Sequence, residues 1–154
     1  FLLKIYFPAS QRHVLIFQTA FCRVKRKVKV MYRVKRIYDF HGLPTNIAAA
    51  FVDRLYPRGI AKERMNGVEW LKEIAPSTEL RRWYHENPEQ RFEEFSQRYG
   101  EELQQPPEQE ALQQLKSLAE QHAEVWLLTA VREPERSNVS VLLDYLGEPF
   151  RLAD

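Results

Sequence analysis

Cysteine is almost missing from this chain of 154 residues: one residue, Cys22, lies in the first thirty positions. One thiol closes no internal disulfide, and residues 31–154 have none, which removes a cysteine nucleophile and a zinc-thiolate cluster from that part. Glycine is scarce, at 5 residues, and no Gly-rich phosphate loop, G-x-S-x-G elbow or zincin motif occurs. The four histidines, His13, His41, His85 and His122, show no ligand spacing, so no metal is expected. No run approaches the ~20 apolar residues of a transmembrane helix. What is present, 44% hydrophobic and 29% charged residues, is the composition of one globular domain with a real core.

Acids are absent from residues 1–30, where seven of the 23 basic residues are found. The remaining 16 face 21 acids, so residues 31–154 carry a net charge of −5 although the whole chain carries +2. A nucleic-acid binder presents a basic face to phosphates, and residues 31–154 have no such excess, which disfavours nucleic acid there. The cluster Arg23-Val-Lys-Arg-Lys-Val-Lys29 suits a nucleic-acid or membrane patch or a targeting signal. The plainer reading, adopted here, is a basic extension outside the native fold, with Met31 a natural start for the domain 31–154. Alternation of Val28, Val30, Tyr32 and Val34 with Lys27, Lys29, Met31, Arg33 and Lys35 lets the first strand begin slightly before Met31.

The pattern then predicts strand, strand, several helices, strand, helix. The first strand ends near Tyr38, and Ala48–Leu55 is the second, although its alanines suit a helix equally. A short helix is expected around Val68–Ile74, ending before Pro76. Ser77 caps a helix from Thr78 to about Glu86. Asn87-Pro88-Glu89-Gln90 signals another, with Phe92, Phe95, Tyr99 and Leu103 on one face. Pro106-Pro107 break it, and the next helix buries Ala111, Leu112, Leu115, Leu118 and Ala119. The unalternating run Glu124–Val131 suits a central parallel strand, strand three of this reading. Ser137 caps a last helix with Val141, Leu142, Tyr145 and Leu146, closed by Gly147 and Pro149. The fold class is α/β: a small parallel sheet with helices on both faces, Rossmann-like in its layers, and several helices between strands two and three.

Ligands of an open parallel sheet bind beyond the carboxyl ends of its strands. Strand two runs out into Arg54, Tyr56, Arg58 and Gly59, and strand three into Thr129, Arg132, Glu133, Ser137 and Asn138. Arginine forks, a glycine backbone and a helix N-terminus are parts that hold carboxylate or phosphate. Lys72, Ser77 and Arg81 are candidates to complete the pocket. The competing reading pairs Arg54 and Arg58 with Asp53 and Glu63 as surface ion pairs. Trp70, Trp83 and Tyr84 are read as core and near-core packing rather than a stacking platform. His85 is read as a cap or surface group rather than a base, and Glu93, Glu94, Glu101 and Glu102 as solvated helix faces.

Asp53-Arg-Leu-Tyr-Pro-Arg-Gly59, Trp70-Leu-Lys-Glu-Ile-Ala-Pro-Ser-Thr-Glu-Leu-Arg81, Trp83-Tyr84, Phe92, Phe95, Arg98-Tyr99 and Glu102-Leu103 resemble the YeaO-like family of uncharacterised bacterial proteins over nearly all of 31–146. The resemblance implies a small cytoplasmic bacterial protein and names no reaction. Tyr56 stands where the family usually has Trp. Relatives tend to read A-x-D and then H-N-x-A, where this chain has Ala130-Val-Arg-Glu133 and Ser137-Asn-Val-Ser140: the asparagine is kept and the histidine is not. The resulting expectation is a domain that binds, with or without transforming it, a small anion such as a nucleotide or phosphorylated metabolite. The alternative is a non-enzymatic interaction or regulatory protein whose Arg and Trp motifs are structural. No cofactor or protein partner is indicated.

Overall fold

The computed structural model describes residues 29–154; the basic extension expected over 1–30, with Cys22, lies almost wholly outside them. Four strands, β1 (Met31–Arg36), β2 (Ile47–Phe51), β3 (Val68–Trp70) and β4 (Glu124–Thr129), form one parallel sheet in the order β1-β4-β2-β3. Four helices follow the same numbering: α1 (Thr78–Glu86), α2 (Pro88–Leu103), α3 (Pro106–Gln121) and α4 (Asn138–Leu146). The first strand begins at Met31, with Val30 ahead of it outside the ladder. Register runs from Met31 opposite Glu124 to Arg36 opposite Thr129, and from Ile47 opposite Glu124 to Phe51 opposite Leu128. β4 is thus central, with two parallel partners, and its Val125, Leu127 and Leu128 are fully buried, as an unalternating apolar strand requires.

The expected parallel α/β sheet is present, but the α-helices expected on both faces cover one of them, and loops with 3₁₀ turns cover the other. Tyr32, Val34, Ala48, Ala50, Val125 and Leu127 pack beneath all four α-helices, against Phe95, Tyr99, Leu112, Leu115 and Leu142. Ala49, Phe51, Trp126 and Leu128 face the other way, toward Ile37, Phe40, Ile60 and Met65, which come from loops and two short 3₁₀ turns. Each fully buried large apolar side chain in these layers contributes ~1.5–3 kcal/mol relative to exposure.

The helix expected around Val68–Ile74 is instead a strand and a 3₁₀ turn. Val68, Leu71 and Ile74 have helical spacing, but Gly67 turns the chain at φ 78°, and Ala49–Phe51 of β2 pairs with Val68–Trp70. The Leu71 N–H continues that ladder by donating to the Phe51 carbonyl at 2.9 Å. Only then does Lys72–Ile74 coil, burying Ile74. β2 is also shorter than expected, ending at Phe51, so Asp53–Gly59 is loop.

Helix boundaries follow the capping chemistry. The Ser77 hydroxyl accepts from the Leu80 N–H, Pro88 and Pro106 open α2 and α3, and the Ser137 hydroxyl accepts from the Val139 N–H. The Asn87 side chain donates to Gln90 Oε1 rather than capping the backbone. Gly147 ends α4 in the left-handed region, φ 72°, and its N–H donates to the Asp144 carbonyl. Beyond α4 the chain returns along β1: the Val34 N–H donates to the Arg151 carbonyl and the Ala153 N–H to that of Val34. This strap covers the outer edge of β1.

Candidate functional site

Parallel pairing puts Arg36, Phe51, Trp70 and Thr129 at one edge of the sheet, so the segments that follow them converge. They enclose a cleft of about 800 Å³. Of the residues singled out from the sequence, Arg54, Tyr56, Arg58, Arg81, Arg132, Asn138 and Ser137 line it. Gly59, Lys72 and Ser77 do not: Gly59 and Lys72 are exposed elsewhere.

Ser77 is engaged structurally. Its hydroxyl and N–H both donate to the Glu102 carboxylate, at 2.6 and 2.8 Å. Glu102 is therefore no solvated helix face, a pairing hidden because its partner lies on another helix. Tyr99, fully buried on α2, donates its hydroxyl to the Ile74 carbonyl, and burial raises its pKa above the usual phenol value. Arg54 completes the brace: Nε donates to the Pro76 carbonyl at 2.9 Å and an Nη to that of Ala75 at 3.0 Å, with Glu73 at 3.9 Å. Polar groups of Ile74–Ser77, which lead into α1 and of which Ala75 and Pro76 line the cleft, are thus held from three directions. The competing pairing of Arg54 and Arg58 with Asp53 and Glu63 is not found among the described residues, where Arg54 approaches Glu73 instead.

Asp53, overlooked as a site residue, is the polar anchor of the cleft floor. The Thr129 hydroxyl donates to one carboxylate oxygen at 2.8 Å and the Ala130 N–H to the other at 2.7 Å. Desolvation raises the carboxyl pKa above its ordinary value, while these hydrogen bonds, one from Asn138 and the charge of Arg81 pull the other way without reversing it. An acid directly after the apolar run of β2 was the signal in the sequence. Asn138, buried at the start of α4, donates to the Val52 carbonyl at 3.3 Å and ties that helix to the end of β2.

Arg81 differs from Arg54. Its Nε is buried and has no hydrogen-bond partner, and the side chain forms no ion pair among the described residues. Nearby on α1, His85 is exposed and also lines the cleft. Partial burial, and then the Arg81 charge, lowers its pKa below the ordinary imidazole value. The Tyr84 hydroxyl donates to the Arg136 carbonyl at 2.8 Å. Five arginines line the cleft, Arg54, Arg58, Arg81, Arg132 and Arg136, against three carboxylates, Asp53, Glu89 and Glu133.

The tryptophans divide. Trp83 packs on the helical core, with the Arg91 and Arg98 guanidiniums 4.7 and 4.4 Å from its ring. Tyr84 is buried and stacks on Phe95 at 4.3 Å. Trp70, expected in or near the core, is exposed: its indole N–H donates to the Asp53 carbonyl and its ring meets Tyr56 edge-on at 5.8 Å. It became a prop for the 53–56 turn because β3 is an edge strand.

Residues 31–154 match the family described as the inactive DUF488-N3 subclade. The chain belongs to that family. An uncharacterised protein of Mycobacterium tuberculosis, Rv3073c, is 41% identical over 115 residues, covering 75% of this chain and 92% of its own. The uncharacterised Escherichia coli protein YeaO is 36% identical over 115 residues, covering 73% and 93%. Membership of a YeaO-like family with bacterial relatives is therefore established. No solved structure matches the chain. No helix among the described residues is long and apolar enough to cross a membrane.

Proposed function

We propose that residues 31–154 form a single domain that binds a small anionic molecule in the cleft at the carboxyl edge of its sheet. The observation that carries this reading is Arg81, whose buried Nε lacks a partner while its side chain lines an open cleft. A buried, unsatisfied donor costs about 1–3 kcal/mol, a cost relieved when the Arg81 side chain turns onto an incoming acceptor. Arg58 and Arg132, exposed on the two converging loops, add positive charge at the rim of a domain that is otherwise acidic. Binding without transformation is favoured, because the family is described as an inactive subclade. The basic extension over 1–30, a cytoplasmic setting and the absence of nucleic-acid binding by 31–154 belong to this proposal.

A second reading, an interaction or regulatory protein with structural arginines, has one specific observation behind it: Arg54 holds two backbone carbonyls and leaves little for a ligand. A thermal-shift screen separates the two. Saturating sulfate, inorganic phosphate or phosphorylated metabolites are expected to raise the melting temperature by a few degrees. Arg81→Gln is expected to abolish that rise. No shift with any anion, or an equal shift in Arg81→Gln, would reject the ligand reading.

A further inference from the structure

The cleft is larger than one phosphate needs, and its lining combines exposed aromatic rings with guanidinium groups. Tyr38 and Tyr56 line it and are 37% and 39% exposed. The first is held in place because its hydroxyl donates to the Arg58 carbonyl at 3.2 Å, while the Arg36 guanidinium lies 5.3 Å from its ring. The second is propped edge-on by Trp70. Two positioned, solvent-exposed tyrosines lining a cleft offer faces on which a planar ring can stack. Arg81, with its unpartnered Nε, lines the same cleft, as do Ser137 and Asn138 at the start of α4.

We propose that the ligand is a phosphate monoester carrying a planar heteroaromatic ring, the chemistry of a nucleoside monophosphate, with phosphate at Arg81 and ring at Tyr38 and Tyr56. This rests on the anion-binding reading and adds the ring. The net charge of −5 over residues 31–154 favours a free mononucleotide over a polynucleotide, whose many phosphates such a surface repels.

Isothermal titration calorimetry of the full chain with the four common nucleoside monophosphates, ribose 5-phosphate, adenosine and a 5′-phosphorylated tetranucleotide tests it. At least one mononucleotide is expected to bind about tenfold tighter than ribose 5-phosphate or adenosine, the scale of one stacked base. Tyr56→Leu, which keeps an apolar contact to Trp70, is expected to lose that advantage and leave ribose 5-phosphate binding unchanged. Tyr38→Leu supplies the same comparison on the other ring should the first variant melt early. Arg81→Gln is expected to weaken mononucleotide and ribose 5-phosphate alike. Equal binding of ribose 5-phosphate and every mononucleotide would overturn the ring assignment and leave the anion reading standing. Tighter binding of the tetranucleotide than of any mononucleotide would overturn the free-nucleotide assignment. Failure of every phosphate compound to bind would overturn both.

Discussion

Arg54 and Arg58 stand four residues apart in one turn, and the fold treats them in opposite ways. The first is turned inward, its fork closed on the carbonyls of Ala75 and Pro76 with Glu73 nearby. The second is exposed at the rim, where its backbone carbonyl, not its guanidinium, is used by Tyr38. The same contrast holds between Ser77, locked to Glu102, and Arg81 four residues further along, with a buried donor left open. Residues of one motif therefore divide into those that build the wall and those that face the space it encloses. A motif rich in arginine marks a region, and only the partner of each guanidinium says what that arginine does.

The largest effect is expected from breaking the wall. Arg54→Ala leaves two carbonyls unsatisfied and is expected to cost about 3 kcal/mol, a fall of roughly 10 °C in melting temperature. Arg54→Lys recovers only part of this, since an ammonium cannot reproduce the fork. A loss under 1 kcal/mol in urea titrations would show that the wall stands without Arg54.

Ser77→Ala removes a helix cap and a partner of Glu102, and an intermediate loss of about 1–2 kcal/mol is expected. Unchanged stability would mean that Glu102 carries the junction alone.

The floor is probed by pH. The carboxyl pKa of Asp53 is raised in the fold, so the folded state binds its proton more tightly than the unfolded chain does. The Asp53 contribution is therefore most favourable below the unfolded carboxyl pKa and worsens as pH rises through the folded one. Melting temperatures of wild type and Asp53→Asn across pH 3 to 8 are expected to move in the variant's favour with rising pH. A constant difference, or one moving the other way, would remove desolvation as the dominant influence on this carboxyl group.

The smallest effect on stability is expected at the rim. Arg58→Ala and Arg132→Ala should change stability by less than about 0.5 kcal/mol, because both side chains are exposed. Any loss of anion affinity in them would then be a binding effect, which sharpens the contrast with Arg54.

Much of this was legible from residue order. The apolar run at 124–129, the serine and proline signals at Ser77, Pro88, Pro106 and Ser137, and the left-handed glycine at 147 are local features, and each element lies where its local chemistry put it. β3 was misread because Val68, Leu71 and Ile74 satisfy a helical spacing, and only the open edge of β2 decides between strand and helix. Glu102 looked like part of a solvated face because its partner is 25 residues away. Asp53 was passed over because its donors, Thr129 and Ala130, belong to the neighbouring strand's end.

By itself the amino-acid sequence determined the class of fold, the helix boundaries, the YeaO-like resemblance and the two loops around which a site would form. These depend on periodicity, capping and turn chemistry, which act within a few residues. Tertiary structure alone decided which arginine braces the wall, which retains an unpartnered donor, and that Trp70 props a turn instead of filling the core. Those outcomes depend on hydrogen-bond partners and burial supplied by distant segments, and a guanidinium has the same chemistry in the sequence whichever partner it meets.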